Sequence, residues 1–419
     1  MTGGGARHIF ASEFEKRSGR YALHHPRLVT CLALAFGLAA PMPAAAQETP
    51  MDQLERRLTE EFQRQFVGYS IAIARHGRVR RTLVSGLARR DADGRRDWAP
   101  RTRANVASVS KSITAIAVLQ LLEANGLTIE EPIAPYLPSA WVRGRGFREG
   151  QSVTFRQLLT HTSGMGQRFD RLKDNGNEEP WGNDWDGLKF AVEQGVAQRF
   201  LEPGRYAEEN YSYKNSNYAL FRIIVPRLWR MSQGLDGSDV RKGNHGALFS
   251  LYVGEHIFQP SGVEQASCVE PATARHAYGY DWTDPTGAGS RFNGIQENCG
   301  AHAGWRLSAS HLARIAGRVD CNSANNWPLE RRLLSQGACF ARTVRRLGWD
   351  DASNGVTDRT RNRYWHGGDM LSPKQPPRRA IHSCMVVLPD GFSVGAIANS
   401  DSRDGETVCG KILDAAEFL

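Results

Sequence analysis

The chain has 419 residues, 41% of them hydrophobic, enough for two core-forming layers or two closely joined subdomains. Its +9 formal charge is spread along the sequence apart from the arginine-rich stretch from Arg75 to Arg103, which reads as a solvated surface, so no nucleic-acid partner is expected. Neither Cys-x-x-Cys nor His-Glu-x-x-His spacing occurs, and neither a metal nor another cofactor is expected.

Residues 1–46 read as a removed export signal. Leu28 to Ala40 is an apolar run of 13 residues, too short to span a bilayer comfortably, with basic residues before it and Ala44-Ala45-Ala46 as a cleavage site before Gln47. The region ahead of the run is long for such a signal, which points to a start downstream of Met1. Cys31 sits at the front of the run and not beside the cleavage site, which argues against a lipid anchor. Loss of five Lys/Arg and two Asp/Glu lowers the net charge from +9 to +6. The expectation is a periplasmic or secreted protein with no transmembrane span after cleavage. Cys268, Cys299, Cys321, Cys339, Cys384 and Cys409 remain, an even set suggesting disulfides. Fifteen pairings are open, with neighbour pairing preferred.

Met51, Leu54, Leu58, Phe62 and Phe66 recur at helical spacing and predict an amphipathic first helix. Gly68 to Arg89 alternates and turns at His76-Gly77, a β-hairpin. Asn105 to Gly126 predicts a helix with apolar residues around more than half its circumference, hence a buried one, stopped by Asn125-Gly126. Leu127 to Pro138 is a proline-bearing loop, and Val153 to Leu159 opens a short helix. From about Gly164 to Gly300 strand-like alternation is poorer, and the tryptophan-bearing stretch Pro180 to Ala191 reads as a lid, pocket wall or packed surface loop. Phe221 to Leu228 predicts a buried helix interrupted at Pro226, and Gly304 to Gly317 another amphipathic helix. Ala380 to Leu388 and Phe392 to Ala398 are strands around the turn Pro389-Asp390-Gly391, and Gly405 to Leu419 is a last helix. The fold class is therefore α/β of the α+β type. Strands from both chain ends form one antiparallel sheet flanked by helices, with a mainly helical subdomain inserted. Within a domain over 47–419, the sheet part takes about 60–125 and 301–419, and the helical part about 126–300.

The chemistry starts in the predicted helix at 105–126. Ser108 and Lys111 are three residues apart, which puts both side chains on one face, one turn from each other. A serine hydroxyl needs a neighbour to take its proton, and a lysine amine can do so when desolvated, because burial disfavours its charged form. Free N–H groups at a helix start add about 0.3–1 kcal/mol for a developing anion. A lone Ser-x-x-Lys arises by chance roughly once in a chain of this length, so the pair needs partners.

Those partners follow in order. With Ser108-Val109-Ser110-Lys111, Tyr213-Lys214-Asn215 and His366-Gly367-Gly368, the sequence resembles the serine β-lactamase and penicillin-binding protein superfamily, nearest its class C-like branch. GLTIEEPIAPYLP, TFRQLLTHTSGM and PGRY match supporting segments, so the resemblance covers most of residues 60–419. It implies an acyl-enzyme on Ser108, proton transfer by Lys111 and Tyr213, and Asn215 holding both Lys111 and a substrate amide. It further implies a substrate-binding strand edge at His366, Gly367 and Gly368, and an oxyanion site made by the N–H groups of Ser108 and Asp369.

Two residues depart from the family pattern. Lys214 stands where a small residue is usual, and His366 replaces a lysine that helps bind a substrate carboxylate. A neutral imidazole loses that fixed charge. The expected activity is thus that of a serine hydrolase on a small-molecule or peptide ester or amide. Esterase or D-amino-acid peptidase chemistry leads and β-lactam hydrolysis is second; the alternative is a non-turnover acyl-binding or sensor protein. His161 in LLTHTSG reads as a structural histidine.

Overall fold

A computed structural model describes residues 48–148, 153–165, 183–197, 200, 211–264, 266–269, 275–292, 300–319, 347–351, 363–372 and 378–419. Residues 1–46, read above as an export signal, and Cys299, Cys321 and Cys339 lie outside them. In chain order the first half runs α1 (Pro50–Phe62), β1 (Gly68–Arg75), β2 (Arg78–Arg89), β3 (Arg96–Asp97), β4 (Ala104–Asn105), α2 (Ser110–Ala124), α3 (Phe155–Leu159) and α4 (Trp185–Gln194). There follow α5 (Asn215–Ala219), α6 (Phe221–Ser232), α7 (His245–Val253), β5 (Arg306–Leu307) and α8 (Ala309–Ala316). The chain ends with β6 (Asp350–Asp351), β7 (Tyr364–Leu371), β8 (Ala380–Val387), β9 (Phe392–Ala398) and α9 (Val408–Ala415).

Seven strands form an antiparallel sheet in the order β3-β2-β1-β9-β8-β7-β6, so strands from the two chain ends meet at β1 and β9. Every residue of β1 except Arg75 is buried, because helices cover both faces, while β2 is largely exposed up to Leu87, so the alternation expected of the hairpin shows in neither strand's burial. On the outer face lie α1 and α9. Thr49 caps α1 by accepting from Asp52 N (3.2 Å), Pro50 fills a first-turn position that needs no N–H, and Leu54, Leu58 and Phe62 bury at i, i+4 and i+8. They pack on Ile71, Ile73, Val394 and Ile412. Truncating Leu58 to Ala would cost about 2–5 kcal/mol. A Cys384–Cys409 disulfide ties β8 to α9, as neighbour pairing expects, and Cys268 is disulfide-bonded too. On the inner face Ala72 and Ala74 meet Ala309 and Ala313 of α8. A Cβ on Gly395 would run into the Ala309 carbonyl, so that glycine lets helix and sheet touch.

The helix α2 is the centre of the large core. Residues 110–119, Leu121 and Leu122 are all buried, including three hydroxyl residues. Of these, Ser112 and Thr114 donate to the carbonyls of Gly348 (2.5 Å) and Ala301 (2.7 Å). Among the described residues Ala107–Ala124 is also the one helical stretch long and apolar enough to cross a membrane, and its burial marks it as a core helix.

Local expectations change in four places. The α-helix begins at Ser110, not Asn105: Ala104 and Asn105 pair with Leu307 and Arg306 as β4–β5, and a 3-10 turn covers Ala107–Val109. The same pairing takes the start of the expected Gly304–Gly317 helix, so α8 starts after Ser308, which accepts from His311 N (3.3 Å) in a capping box. The described part of the tryptophan stretch forms α4, capped by Asp184 accepting from Gly187 N (2.8 Å). Pro226 does not end its helix; α6 runs on to Ser232, with Ile223, Ile224, Val225 and Leu228 buried around it. Burial of that face outweighs the missing N–H.

Candidate active site

The nucleophile candidate sits on a strained turn between β4 and α2. Ala107 has φ +46°, a left-handed conformation that costs a residue with a Cβ on the order of 1 kcal/mol. Its neighbours hold it there. Asn105 Oδ1 accepts from Ala107 N (2.9 Å), Val106 N donates to Trp305 O (2.8 Å), and Ser383 Oγ donates to Val106 O (2.8 Å). Ser108 is thereby presented one turn ahead of Lys111.

Lys111 is wholly buried. Its Nζ lies within hydrogen-bond distance of three oxygens: Ser108 Oγ at 2.9 Å, Asn215 Oδ1 at 2.8 Å and the His302 carbonyl at 2.8 Å. The ammonium also lies 4.8 Å from the centre of the Tyr213 ring. Tyr213 OH reaches Ser108 Oγ from another side at 2.8 Å. Ser108, Lys111, Tyr213 and Asn215 are therefore brought together, although Tyr213 and Asn215 are about a hundred residues away from the helix. Two groups able to carry a proton meet on one serine oxygen, and whichever of them is deprotonated can take the serine's proton and return one to a leaving group.

His161 braces the tyrosine. Its Nδ1 faces Lys214 N (3.2 Å) and Asn217 Nδ2 (3.1 Å), its carbonyl accepts from Ser212 N (2.9 Å), and its ring lies 4.4 Å from that of Tyr213. Burial, followed by the charges of Lys111 and His366, holds this imidazole well below its usual range, so it is neutral and Nδ1 accepts. Ser163 Oγ donates to Asn217 Oδ1 (2.6 Å) and fixes the amide that bonds the ring.

The strand β7 closes the other side. His366 is buried and its Nδ1 lies 2.6 Å from Gly367 O. Side chains alternate across the strand, so His366 and Gly368 share the serine's face, while Gly367 and Asp369 face α9 and β8. A Cβ on Gly368 would strike the Val106 carbonyl and come within 2.7 Å of Ser383 Oγ and 3.0 Å of Ser108 N. Only glycine lets the strand reach the serine's backbone. The ladder then places the next N–H. Ser372 N donates to Arg379 O, and Ala380 N donates away from β7 to Tyr280 O. Counting back, Asp369 pairs with His382 without backbone bonds and turns its own N–H to the strand's outer edge. Among the described residues β6 covers only Tyr364 and Trp365 on that edge. The Asp369 N–H is thus left at the open edge of the strand that meets the serine's backbone at Gly368.

Sequence reasoning missed the His302 carbonyl, Asn105 and Ser383. Gly300 and Gly304, with φ +87° and +111°, bracket His302 and were the one available sign of a tight turn there.

A serine met by a lysine and a tyrosine, between a buried helix and the edge of an antiparallel sheet, defines the active-site-serine fold class of β-lactamases and penicillin-binding proteins. The chain belongs to the Beta-lactamase family, whose model matches residues 51–382. It is similar to Esterase EstB of Burkholderia gladioli, 37% identical over 134 residues, 32% of this chain and 31% of that protein. Its fold is similar to the octameric penicillin-binding protein homologue from Pyrococcus abyssi (TM-score 0.57, 18% identity, 88% of this chain and 77% of the other). It is likewise similar to the D-amino acid amidase of Ochrobactrum anthropi (TM-score 0.53, 18% identity, 88% and 99%). The chain spans about a third of the length of the curated relatives it matches.

Proposed function

We propose that the protein is an exported serine hydrolase that works through an acyl-enzyme on an ester or amide, with esterase or D-amino-acid peptidase chemistry ahead of β-lactam hydrolysis. The observation that carries this reading is the double contact of Ser108 Oγ with Lys111 Nζ and Tyr213 OH. With the Lys111–Tyr213 pair one proton short, as a neutral amine beside a phenol or an ammonium beside a phenolate, Ser108 Oγ attacks the substrate carbonyl carbon as its proton passes to that pair. The carbonyl oxygen gains the negative charge between the N–H groups of Ser108 and Asp369, each worth about 3 kcal/mol in the transition state. The pair protonates the departing alcohol or amine, and water later repeats the attack on the acyl-serine. Asn215 keeps Lys111 aimed at the serine.

The choice of ester or D-amino-acid chemistry rests on His366 standing where the family has a lysine, because an imidazole, unlike an ammonium, is not a permanent cation. The named activity of EstB, the relative at 37% identity, supports it. Export rests on the character of residues 1–46. The test is turnover of a p-nitrophenyl ester and a chromogenic cephalosporin by wild type and Ser108→Ala. Ester turnover abolished by the substitution is expected. Preference for the cephalosporin would reverse the substrate ranking, and acylation without turnover would favour the sensor reading.

A further inference from the structure

The sheet carries a charged cluster on the face opposite the serine. Asp369 on β7 and His382 on β8 form a cross-strand pair without backbone bonds, the kind that brings side chains closest. Asp369 Oδ1 lies 2.5 Å from His382 Nδ1, and Asp401 Oδ1, beyond the end of β9, lies 2.9 Å from His382 Nε2. An imidazole with a carboxylate at each nitrogen donates from both, which makes it an imidazolium. Arg378 Nε stands 3.6 Å from Asp401, and Arg378 N donates to Asp281 Oδ2 (2.8 Å). Charges therefore alternate from Asp369 through His382 and Asp401 to Arg378, whose backbone N–H is held in turn by Asp281. An exposed pair of this kind contributes little. This one differs in geometry: although the Asp369 side chain is 64% exposed, His382 is only 16% exposed and joins the ends of three adjacent strands.

We propose that His382 is a positioning residue for the oxyanion site: by bridging Asp369 to Asp401 it fixes the β7 backbone at the residue whose N–H faces the substrate carbonyl. Neither His382 nor the Asp369 carboxylate touches substrate, and the inference rests on the acyl-transfer reading above. Burial works against a charged His382, but the hydrogen bonds to Asp369 and Asp401 outweigh it and push the imidazole up to about 9, so the bridge is intact at neutral pH.

The test compares wild type, Asp369→Ala, Asp369→Asn and His382→Gln by labelling rate with a fluorophosphonate and by kcat and KM on a p-nitrophenyl ester. All variants keep the N–H at 369. For Asp369→Ala and His382→Gln, labelling rate and kcat fall about tenfold with KM nearly unchanged, a fraction of the roughly 100-fold cost of a full 1 Å misplacement. Asp369→Asn, which keeps an acceptor for Nδ1–H, regains most of the loss. Wild-type labelling rate and kcat in Asp369→Ala, with or without a lowered Tm, would overturn the proposal. If wild type itself fails to label at Ser108, the hydrolase reading fails first and this inference falls with it.

Discussion

Lys111 Nζ lies 2.9 Å from Ser108 Oγ, at the end of a side chain that is entirely buried. The burial is a consequence of α2 being a core helix, so the Ser108–Lys111 pair is built on an element packed into the core. A loop would not hold the two atoms to this tolerance.

Replacing Lys111 with Met keeps the volume of the stem and removes the amine. Activity should fall by about 10²–10⁴-fold, the usual worth of a positioned proton acceptor. The amide oxygen of Asn215 and the His302 carbonyl each lose a donor, so the Tm should fall too, by the equivalent of about 1–3 kcal/mol. Steady-state kinetics with thermal unfolding separates the two effects.

Tyr213→Phe removes only the hydroxyl, and the ring keeps its 4.4 Å contact with His161. Here kcat should drop by about 10²-fold or more while the Tm moves little. A variant of wild-type kcat would leave Lys111 as the one proton carrier.

Gly368→Ala places a Cβ against the Val106 carbonyl and 3.0 Å from Ser108 N, both backbone atoms that cannot swing aside. The strand must retreat and the oxyanion donors separate, costing about 10²–10³-fold in kcat. Gly367→Ala meets only Cys409 Sγ at 3.4 Å and should be far milder.

Stability should fall as the medium turns acidic. Burial, with nearby cations, pushes His245 and His311 down to about 4 and holds His161 and His302 well below the ordinary imidazole range. A histidine depressed in the folded state binds its proton first in the unfolded chain, so its contribution is present above about 6.5 and lost as pH falls toward the folded value. His382 has the opposite sign: its contribution is present below about 6.5 and lost as pH rises through about 9. The Tm should therefore be highest near neutrality, and imidazole NMR should show His382 titrating near 9 while His161 stays neutral at pH 6.

Much of the fold was legible because its signals are local. Leu54, Leu58 and Phe62 announce α1 by period, and His76-Gly77 and Pro389-Asp390-Gly391 announce their hairpins. The Ser108–Lys111 pair was legible for the same reason, as a spacing of three on a helix. Tyr213 and Asn215 came from resemblance, since nothing near them in sequence refers to Ser108. Distant contacts made the rest illegible. β4 and β5 are two residues each and exist through each other, which hid the start of α2 and of α8. Asn105 acts on the strain at Ala107, His302 acts through a carbonyl any residue possesses, and the Asp369–His382 bridge depends on strand register.

The central claim is that Ser108 is a nucleophile activated by its two neighbours. Intact-mass analysis after exposure to a fluorophosphonate, followed by peptide mapping, addresses it directly. The account predicts one adduct per chain, on the peptide containing Ser108, absent from Ser108→Ala and slowed in Lys111→Met. No adduct on the wild type, or an equal one on Ser108→Ala, would contradict it.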